Sequence, residues 1–362
     1  MAVTVVVGGQ YGSEGKGKLV AHLARTSPAP IAVARCGGTN SGHTVEYRGT
    51  PYPFRQLPSA AVVDGAALFL AAGMVIDIEL LLKEMADVGL DRKRLHVDRN
   101  AVLLDERDVS RESDSRLRER VGSTLSGTGS ATARKVLRDP TQKTAESALD
   151  LKAFITDVSK DLNELIDSGT AVIVEGTQGI GLSLHHSPHF PFATSRDTSA
   201  AAFLSEVGLA PALVSDVIVV FRTFPIRVAG NSGPLPSEMT WEELAHRAGS
   251  ATPFSEFTTV TKKLRRVGEF DWDQAEDAIR INRPSCLALH GMDYISFSDR
   301  GARRLSDLSV ESRRFVDRIE GRLGVPVHFI FTGPRNEDII DLRAATPAVS
   351  LGQSSLVSSF QS

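Results

Sequence analysis

Short apolar runs alternate along the chain with stretches in which apolar residues recur at helical spacing. The runs predict buried strands, and they lie at residues 3–7, 31–34, 68–72, 171–175, 214–221, 286–289 and 327–331. The helical stretches lie at residues 15–24, 77–88, 145–165, 241–246 and 273–281. Strand, glycine turn and helix in repetition predict an α/β fold with one large, mostly parallel central sheet flanked by helices on both faces.

The chain shows no internal repeat and no clear interdomain linker. Glycine-rich signals are spread from residue 8 to residue 333, so a single domain with long functional loops is expected over residues 1–343. Residues 344–362 are small, polar and rich in serine, which predicts a loosely ordered C-terminal tail.

The composition of the chain is that of an ordinary globular protein, and it limits which partners are expected. Hydrophobic residues make up 41% and charged residues 23%, and 41 basic against 44 acidic residues give a net charge of -3. This balance argues against nucleic acid and anionic membranes as partners. No apolar run approaches the roughly 20 residues that span a bilayer, and residues 3–7 resemble a strand more than a signal peptide. With only two cysteines, no disulfide framework is expected and the cytoplasm is the expected location.

A glycine-rich loop, residues 8–18 with the sequence GGQYGSEGKGK, joins the first predicted strand to the first predicted helix. Glycines tolerate positive φ and let backbone N–H groups approach an anion, while the helix N-terminus, Lys16 and Lys18 supply positive charge. The loop has one residue more than the P-loop pattern and carries Gly17 where that pattern has Ser or Thr. It therefore predicts a polyphosphate site of a different kind.

A second polar, glycine-rich loop, residues 35–44 with the sequence RCGGTNSGHT, follows the predicted strand at 31–34. In a parallel sheet we expect it to face the first loop across a crevice at the carboxyl ends of the strands. His43 is the natural acid or hydrogen-bond donor beside a transferring phosphoryl group, although an isolated histidine is more often structural.

Together the two loops closely resemble the signature loops of the adenylosuccinate synthetase family. Other segments resemble further motifs of that family and follow its order. Residues 122–138 resemble its IMP-phosphate segment, 175–179 and 191–195 its glutamine and threonine contacts, 260–268 its aspartate loop, and 287–293 and 331–334 its contacts to the purine base of the triphosphate.

The resemblance implies a ligase that works in two steps. The γ-phosphate of GTP moves to O6 of IMP, and the aspartate amine then displaces that phosphate. Ser13, Lys16 and His43 stand at the catalytic positions, with His43 as general acid. Lys16, backbone N–H groups and Mg²⁺ would stabilise the charge that develops on the phosphoryl oxygens.

Binding residues follow from the same resemblance. The triphosphate is expected at Gly12, Glu14, Gly15, Lys16, Gly17, Lys18, Gly42, Thr44, Arg265, Asp293, Thr332 and Gly333. The purine monophosphate is expected at Ser13, Asn40, Ser41, Thr124, Arg138, Gln178 and Thr194. Aspartate is expected at Thr261, Lys263 and Arg265, and Mg²⁺ at Ser13 and Gly42.

Two of these assignments have structural alternatives. Arg138 matches an arginine that the family reaches across from a dimer partner, which implies a homodimer, but a solvated helix residue would look the same. Residues 262–266 carry four cations, and arginine forks and lysine point charges suit the two carboxylates of aspartate. A solvent-facing charge run or a nucleic-acid patch is the alternative, although no aromatic residue interleaves the cluster to stack bases.

Three departures from the family bear on the substrates. Ser13 replaces an aspartate that acts as base on the purine N1–H and helps to hold Mg²⁺. Gly291 replaces a lysine that reads guanine, so ATP or dATP joins GTP as a candidate donor. Lys263 replaces the usual arginine of the aspartate loop.

The change at Ser13 matches a phage subgroup of the family. Certain phages replace adenine in their DNA by 2-aminoadenine, and their synthetase carries a small residue here and acts on dGMP. Ser13 is smaller than aspartate and uncharged, so it leaves room for a purine 2-amino group and offers it a hydroxyl acceptor.

The preferred hypothesis is therefore a ligase that makes N6-succino-2-amino-2'-deoxyadenylate for diaminopurine DNA, in the host cytoplasm if the chain is phage-encoded. One alternative is a conventional adenylosuccinate synthetase that uses IMP and GTP. Another is a catalytically inactive, nucleotide-binding regulatory paralogue. The last is a phosphate-loop ATPase that acts on a protein or nucleic acid, which Gly17 disfavours.

Overall fold

The structure is a computed structural model that describes residues 3–47, 49–258 and 262–343. Thr261 and the predicted tail at 344–362 lie outside these residues. No helix in the described parts of the chain is long and apolar enough to cross a membrane.

The described residues form strands and helices that alternate along most of the chain. The strands are β1 Val3–Gly8, β2 Ile31–Arg35, β3 His43–Tyr47, β4 Thr50–Phe54, β5 Ala67–Leu70, β6 Val75–Ile76, β7 Leu95–Asp98, β8 Val102–Leu103, β9 Ile155–Thr156, β10 Ala171–Glu175, β11 Val214–Arg222, β12 Ile226–Arg227, β13 Glu238–Met239, β14 Arg266–Gly268, β15 Cys286–His290, β16 Val327–Phe331 and β17 Ile339–Asp341. The α-helices are α1 Lys16–Arg25, α2 Ile78–Val88, α3 Glu106–Asp114, α4 Leu117–Val121, α5 Thr128–Val136, α6 Val158–Asp167, α7 Ala200–Val207, α8 Trp241–Arg247, α9 Trp272–Asn282 and α10 Val310–Leu323.

Ten of the strands described above form one central sheet in the order β17-β16-β15-β11-β1-β10-β2-β5-β7-β9. Every neighbouring pair in it is parallel except β16 and β17. The valine run of β1 lies at the centre, because a strand buried on both faces needs apolar side chains on both. The predicted α/β fold with a large, mostly parallel sheet is confirmed.

The core lies on both faces of this sheet. Side chains alternate along β1, so Val6 joins the cluster that contains α1 and α2. Val5 and Val7 point the other way, into the cluster that contains α6, α7, α9 and α10. Helices therefore cover both faces, as the alternating pattern predicts.

The prediction of a helix at residues 145–165 is wrong for the first half of that range. That half contains two short 3-10 turns and the edge strand β9, and a helix begins only at Val158, capped by the side chain of Asp157. Pairing with the sheet outweighs the helical spacing, since Ile155 lies opposite Val97 of β7. The carboxylate of Asp98 also accepts the backbone N–H of Val158 at 3.1 Å, which sets where the helix starts.

The sheet brings four chain segments to one edge. Strands β11, β1, β10 and β2 are neighbours and run parallel, so their carboxyl ends meet at the same side of the molecule. Ligands of open parallel sheets bind at such an edge. The loops after these strands are therefore the place to look for a site.

The second face of the sheet supplies a test of the core. Leu162 of α6 is fully buried in it, and Leu149 is 87% exposed. We expect Leu162→Ala to lower the free energy of unfolding by about 2–5 kcal/mol, because a cavity is left among packed side chains. The matched change Leu149→Ala should alter it by less than about 0.5 kcal/mol. Urea titrations of both variants measure this, and equal losses would contradict the packing described.

Candidate active site

The first loop, residues 9–15 between β1 and α1, is organised around its own carboxylate. Glu14 is fully buried and accepts the backbone N–H of Gln10 at 3.1 Å and that of Gly12 at 2.8 Å. The same carboxylate pairs with the Lys16 ammonium at 2.6 Å. Lys16 also donates to the carbonyl oxygen of Gln178. The lysine is thus held by two oxygens, and its position is set before any ligand arrives.

The loop turns through the left-handed region, which accounts for its glycines. Gly12, Ser13 and Gly15 have φ values of 84°, 60° and 98°. A Cβ on Gly15 would lie 2.5 Å from Cδ2 of His290, and one on Gly17 would lie 2.7 Å from Cβ of His43. Side chains at Gly15 and Gly17 are therefore excluded by close packing against the two histidines, and at Gly15 the positive φ adds backbone strain.

Two arginines hold Ser13 in its positive-φ conformation. Arg222, at the end of β11, donates to the Ser13 carbonyl oxygen at 3.2 Å and forms an ion pair with Glu256. Arg265 donates to the Ser13 hydroxyl oxygen. The hydroxyl of Tyr294 donates to Glu256 at 2.7 Å and completes the cluster. Ser13 thus meets positive charge from two directions.

His43, at the start of β3, lies against the buried carboxylate of Glu175. Its Nδ1 hydrogen-bonds to that carboxylate, which also pairs with Arg35 at 3.0 Å. Ser59 donates its backbone N–H to the other carboxylate oxygen at 2.8 Å. The ring is therefore anchored through Nδ1.

Burial and the nearby Arg35 guanidinium lower the pKa of His43 to about 4, against the opposing effect of Glu175. Burial alone would raise the pKa of Glu175, but Arg35 and the hydrogen bond from His43 outweigh it and lower that pKa to about 2. A carboxylate that stays ionised beside a neutral imidazole fixes the orientation of the ring.

Both loops open into one cavity of about 470 Å³. Most residues predicted to bind or to react line it: Gly12, Ser13, Lys16, Asn40, Ser41, Gly42, His43, Thr124, Gln178, Thr194, Lys263 and Arg265. Lys16 and His43 thus share a single cavity, as the crevice expected between the two loops requires. The segment around α3–α5 and residues 182–195 close its other sides.

Hydroxyl and amide groups cluster on one wall of this cavity. The Asn40 amide donates to the Thr194 hydroxyl at 3.3 Å, and the Thr124 hydroxyl donates to Ser126 at 3.2 Å. Neutral donors grouped in this way suit the oxygens of a phosphate. Of the described residues that line the cavity, one has a carboxylate. This is Glu112, which accepts the backbone N–H groups of Gly127 at 3.0 Å and Gly129 at 2.8 Å.

The cations at residues 262–266 do not all face the cavity. Lys263 and Arg265 line the cavity, whereas Arg266 lies in a small sheet and is paired with Glu238 at 2.6 Å. That sheet, β12-β14-β13, holds Arg266 in place, so sequence spacing alone overstated the number of cations that face the cavity.

The remaining predicted residues in the described part of the chain do not line the cavity. Lys18 donates to the carbonyl oxygens of Gly333 at 2.7 Å and Asp338 at 3.2 Å, and burial lowers its pKa to about 8. Asp293 is buried, which raises its pKa to about 6, and the Thr332 hydroxyl donates to Ala302 at 2.8 Å. The other predicted residues outside the cavity lining are Glu14, Gly15, Gly17, Thr44, Arg138 and Gly333.

Arg138 is exposed just after the end of α5. The two residues before it, Val136 and Leu137, are 73% and 77% exposed. Exposed apolar side chains next to a cation are typical of a contact surface.

Sequence reasoning missed three charged residues of the site. Arg35, Glu175 and Arg222 each end an apolar strand of the central sheet. A charged residue at the carboxyl end of an apolar strand can be recognised in the sequence, so this signal was present. Among the described residues, no group of three or more His, Cys, Asp or Glu side chains is placed to hold a metal ion.

Comparison with known proteins identifies relatives for this arrangement. The family model for adenylosuccinate synthetase matches residues 5–145 and 139–300. The adenylosuccinate synthetase of Methanocaldococcus jannaschii is 39% identical over 348 residues, which are 95% of this chain and 97% of the relative. That of Thermococcus sibiricus is 41% identical over 345 residues, 94% of this chain and 98% of the relative.

Two solved structures share the fold. Fully ligated adenylosuccinate synthetase from Plasmodium falciparum superposes with a TM-score of 0.84 at 20% identity, over 94% of this chain and 100% of that one. The succinoaminodeoxyadenylate synthetase of cyanophage S-2L, bound to dGMP and to dATP as an energy donor, gives a TM-score of 0.79 at 28% identity. That match covers 94% of this chain and 95% of the phage enzyme.

The burial of His43 predicts how the free energy of unfolding depends on pH below neutrality. The pKa of this ring is about 4 in the folded chain against an ordinary 6.5, so the unfolded chain binds more protons between these values. The free energy of unfolding should therefore fall as the pH drops through this window, by up to about 3 kcal/mol from this group. Urea titrations across the window should show a shallower fall for His43→Gln. An identical pH dependence in the variant would contradict the assigned burial.

Proposed function

The chain belongs to the adenylosuccinate synthetase family, carbon–nitrogen ligases that use a nucleoside triphosphate, and from this premise we propose that its own substrate is dGMP. Aspartate would be joined to the 6-position of the purine. The product would be N6-succino-2-amino-2'-deoxyadenylate, the precursor of a diaminopurine nucleotide.

The reaction needs activation of a poor leaving group. In the first step the γ-phosphoryl group of the triphosphate is transferred to O6 while the purine N1 loses its proton. In the second step the aspartate amine attacks C6, and O6 leaves with the phosphoryl group as inorganic phosphate. Enzymes promote such transfers chiefly by positioning and by stabilising charge on the phosphoryl oxygens.

Lys16 and His43 are suited to this task by the way they are held. The Lys16 ammonium, fixed by Glu14 and Gln178, would stabilise charge on the phosphoryl oxygens. His43 is neutral without ligands, but a polyanion beside it would raise the pKa of the ring. In the complex the ring, still anchored by Glu175, would then donate a proton or a hydrogen bond to the phosphate.

The observation that carries the choice of dGMP is the identity and setting of Ser13. Among the described residues that line the reaction cavity, the one carboxylate is that of Glu112, and it is bonded to backbone N–H groups of α5 and its start. The edge of the cavity at Ser13 thus carries a short neutral side chain next to Arg222 and Arg265. A purine 2-amino group would find space and a hydroxyl acceptor there.

The phage enzyme supports the same choice. It shares this fold along nearly its whole length and was solved with dGMP and dATP bound. A second candidate, IMP, is favoured by another observation. The archaeal adenylosuccinate synthetases are 39% and 41% identical to the chain, against 28% for the phage enzyme.

For the triphosphate we propose ATP or dATP rather than GTP. Gly291 stands where the family has the lysine that reads guanine. Its φ is 87°, and a Cβ built on it would lie 3.1 Å from the hydroxyl oxygen of Thr223. No lysine is available there to read the guanine oxygen. Mg²⁺ would arrive with the triphosphate, because the Ser13 hydroxyl and the Gly42 carbonyl oxygen are uncharged and do not replace the carboxylates that usually bind this ion.

We also propose a homodimer in which Arg138 reaches the neighbouring site. The exposed pair Val136 and Leu137 would be covered by the partner. Arg138 lies outside the lining of its own chain's cavity and is exposed, so a role in catalysis requires a second copy.

Substrate competition tests the central proposal. Purified protein should be given aspartate, Mg²⁺ and each of ATP, dATP and GTP, with dGMP, GMP or IMP as acceptor. We expect the succinyl adduct of dGMP and release of one phosphate per adduct, detected by mass spectrometry and a phosphate assay. Turnover of IMP alone would overturn the choice of dGMP and leave the family assignment intact.

The role of Ser13 has its own test. Ser13→Asp should shift the ratio of kcat/KM for dGMP over IMP towards IMP by about tenfold or more, because a carboxylate crowds the 2-amino group and restores a base for N1–H. Ser13→Asn, of similar size without the charge, separates crowding from basicity. An unchanged ratio in Ser13→Asp would show that this position does not read the base.

Subunit mixing tests the shared site. Lys16→Ala and Arg138→Ala should each be nearly inactive as pure proteins. An equimolar mixture, dissociated and reassembled, should recover about a quarter of the wild-type activity, because half the dimers are hybrids with one intact site each. Failure of the mixture to recover activity, although hybrids form, would place Arg138 outside the neighbouring site.

A further inference from the structure

A second cavity, of about 340 Å³, lies apart from the reaction cavity. Its wall comes from the chain after β11, from α8, from the start of α9 and from the first turns of α10. The two cavities share no lining residue within the described part of the chain. Ligand pockets typically have about 300–1,000 Å³, so this cavity has the size of a small-molecule site.

Aromatic rings form most of its apolar wall. Phe270 packs edge-on against Trp272 at 4.8 Å and against Phe315 at 5.5 Å between ring centroids. Phe224 also lines the cavity. Phe270, Trp272 and Phe315 are only partly buried, and the Arg322 guanidinium lies 4.8 Å from the centre of the Trp272 ring. Part of the ring surface is therefore left uncovered. A planar aromatic ligand would cover that surface by stacking or edge contacts.

Charged side chains also line the cavity. Among the described residues these are three arginines and two glutamates, and one of the arginines, Arg247, is paired with Glu269. Arg314 and Arg318 lie one turn apart on α10, and neither has an ion pair or a side-chain hydrogen bond with any described residue. Both residues are exposed, so their guanidinium groups can bind an anion without breaking an existing contact.

From this combination we propose that the second cavity is a binding site for a compact aromatic anion, a bicyclic ring that carries a phosphate or carboxylate. The ring would lie among Phe270, Trp272 and Phe315, and the acidic group would meet Arg314 and Arg318. The site is separate from the ligase reaction, so its test does not depend on the substrate proposed above.

The inner wall of this cavity continues into the cluster that holds Ser13. Thr223, which lines the cavity, follows Arg222 directly and donates its hydroxyl to the Gly291 carbonyl oxygen at 2.7 Å. Ile295, on another wall, follows Tyr294, which bonds to Glu256. An occupant therefore contacts residues adjacent to the Arg222–Glu256 pair.

The two tryptophans of the chain allow a direct measurement. Trp272 lines the second cavity, whereas Trp241 donates to the Arg265 carbonyl oxygen at 2.7 Å and reports on the reaction cavity. The full chain labelled with 5-fluorotryptophan should be titrated with 1-naphthyl phosphate and followed by ¹⁹F NMR, with Trp241→Phe to assign the resonances. We expect a saturable shift of the Trp272 resonance that persists when dGMP is present in excess.

Matched variants and ligands complete the test. Arg314→Glu should weaken binding by about tenfold or more, because an attraction becomes a repulsion at the same place. Arg313→Glu, next to it on α10 but outside the cavity lining, should bind as the wild type does. 1-Naphthol and inorganic phosphate should each bind much more weakly than 1-naphthyl phosphate. Absence of the Trp272 shift, displacement by dGMP, or equal binding by Arg314→Glu would overturn the proposal.

Discussion

The carboxylate of Glu175, fully buried at the end of β10, joins the parts on which the site depends. It pairs with Arg35 at the end of β2, accepts from His43 at the start of β3, and is bonded by the backbone of Ser59. A buried charge is tolerated only when its partners are close and well oriented. This requirement fixes the second loop against the sheet and aims His43 into the cavity.

The first loop follows the same rule with a different carboxylate. Glu14 collects two backbone N–H groups and the Lys16 ammonium, so the loop is preorganised by internal bonds. Ser13 lies next to this arrangement and is bonded by Arg222 and Arg265. Both arginines are buried or half-buried, and both contact a small neutral residue. The edge of the cavity is therefore more positive here than in a family member that has aspartate at this position.

The polar segment 105–136 shows why hydrophobic patterns did not predict some of the helices. Helices α3 and α5 bury charge instead of an apolar stripe, since Arg134 pairs with Asp108 at 3.1 Å and Glu112 bonds to the start of α5. Hydrophobic periodicity carries no signal for such contacts. Yet this segment closes the reaction cavity on one side. The prediction of a helix at 145–165 failed over its first half for the opposite reason, because the apolar residues there belong to an edge strand.

The sequence by itself determined the fold class, the two glycine-rich loops and the family. Each depends on local features: buried strands need apolar runs, tight turns against a ligand need glycine, and motif order survives in the chain. Only the tertiary structure decided that Lys18 bonds to the backbone of Gly333, that Arg266 pairs with Glu238, that Arg35, Glu175 and Arg222 belong to the site, and that a second cavity exists. These outcomes depend on which distant charges meet in a space closed to water, and spacing along a chain does not encode that meeting.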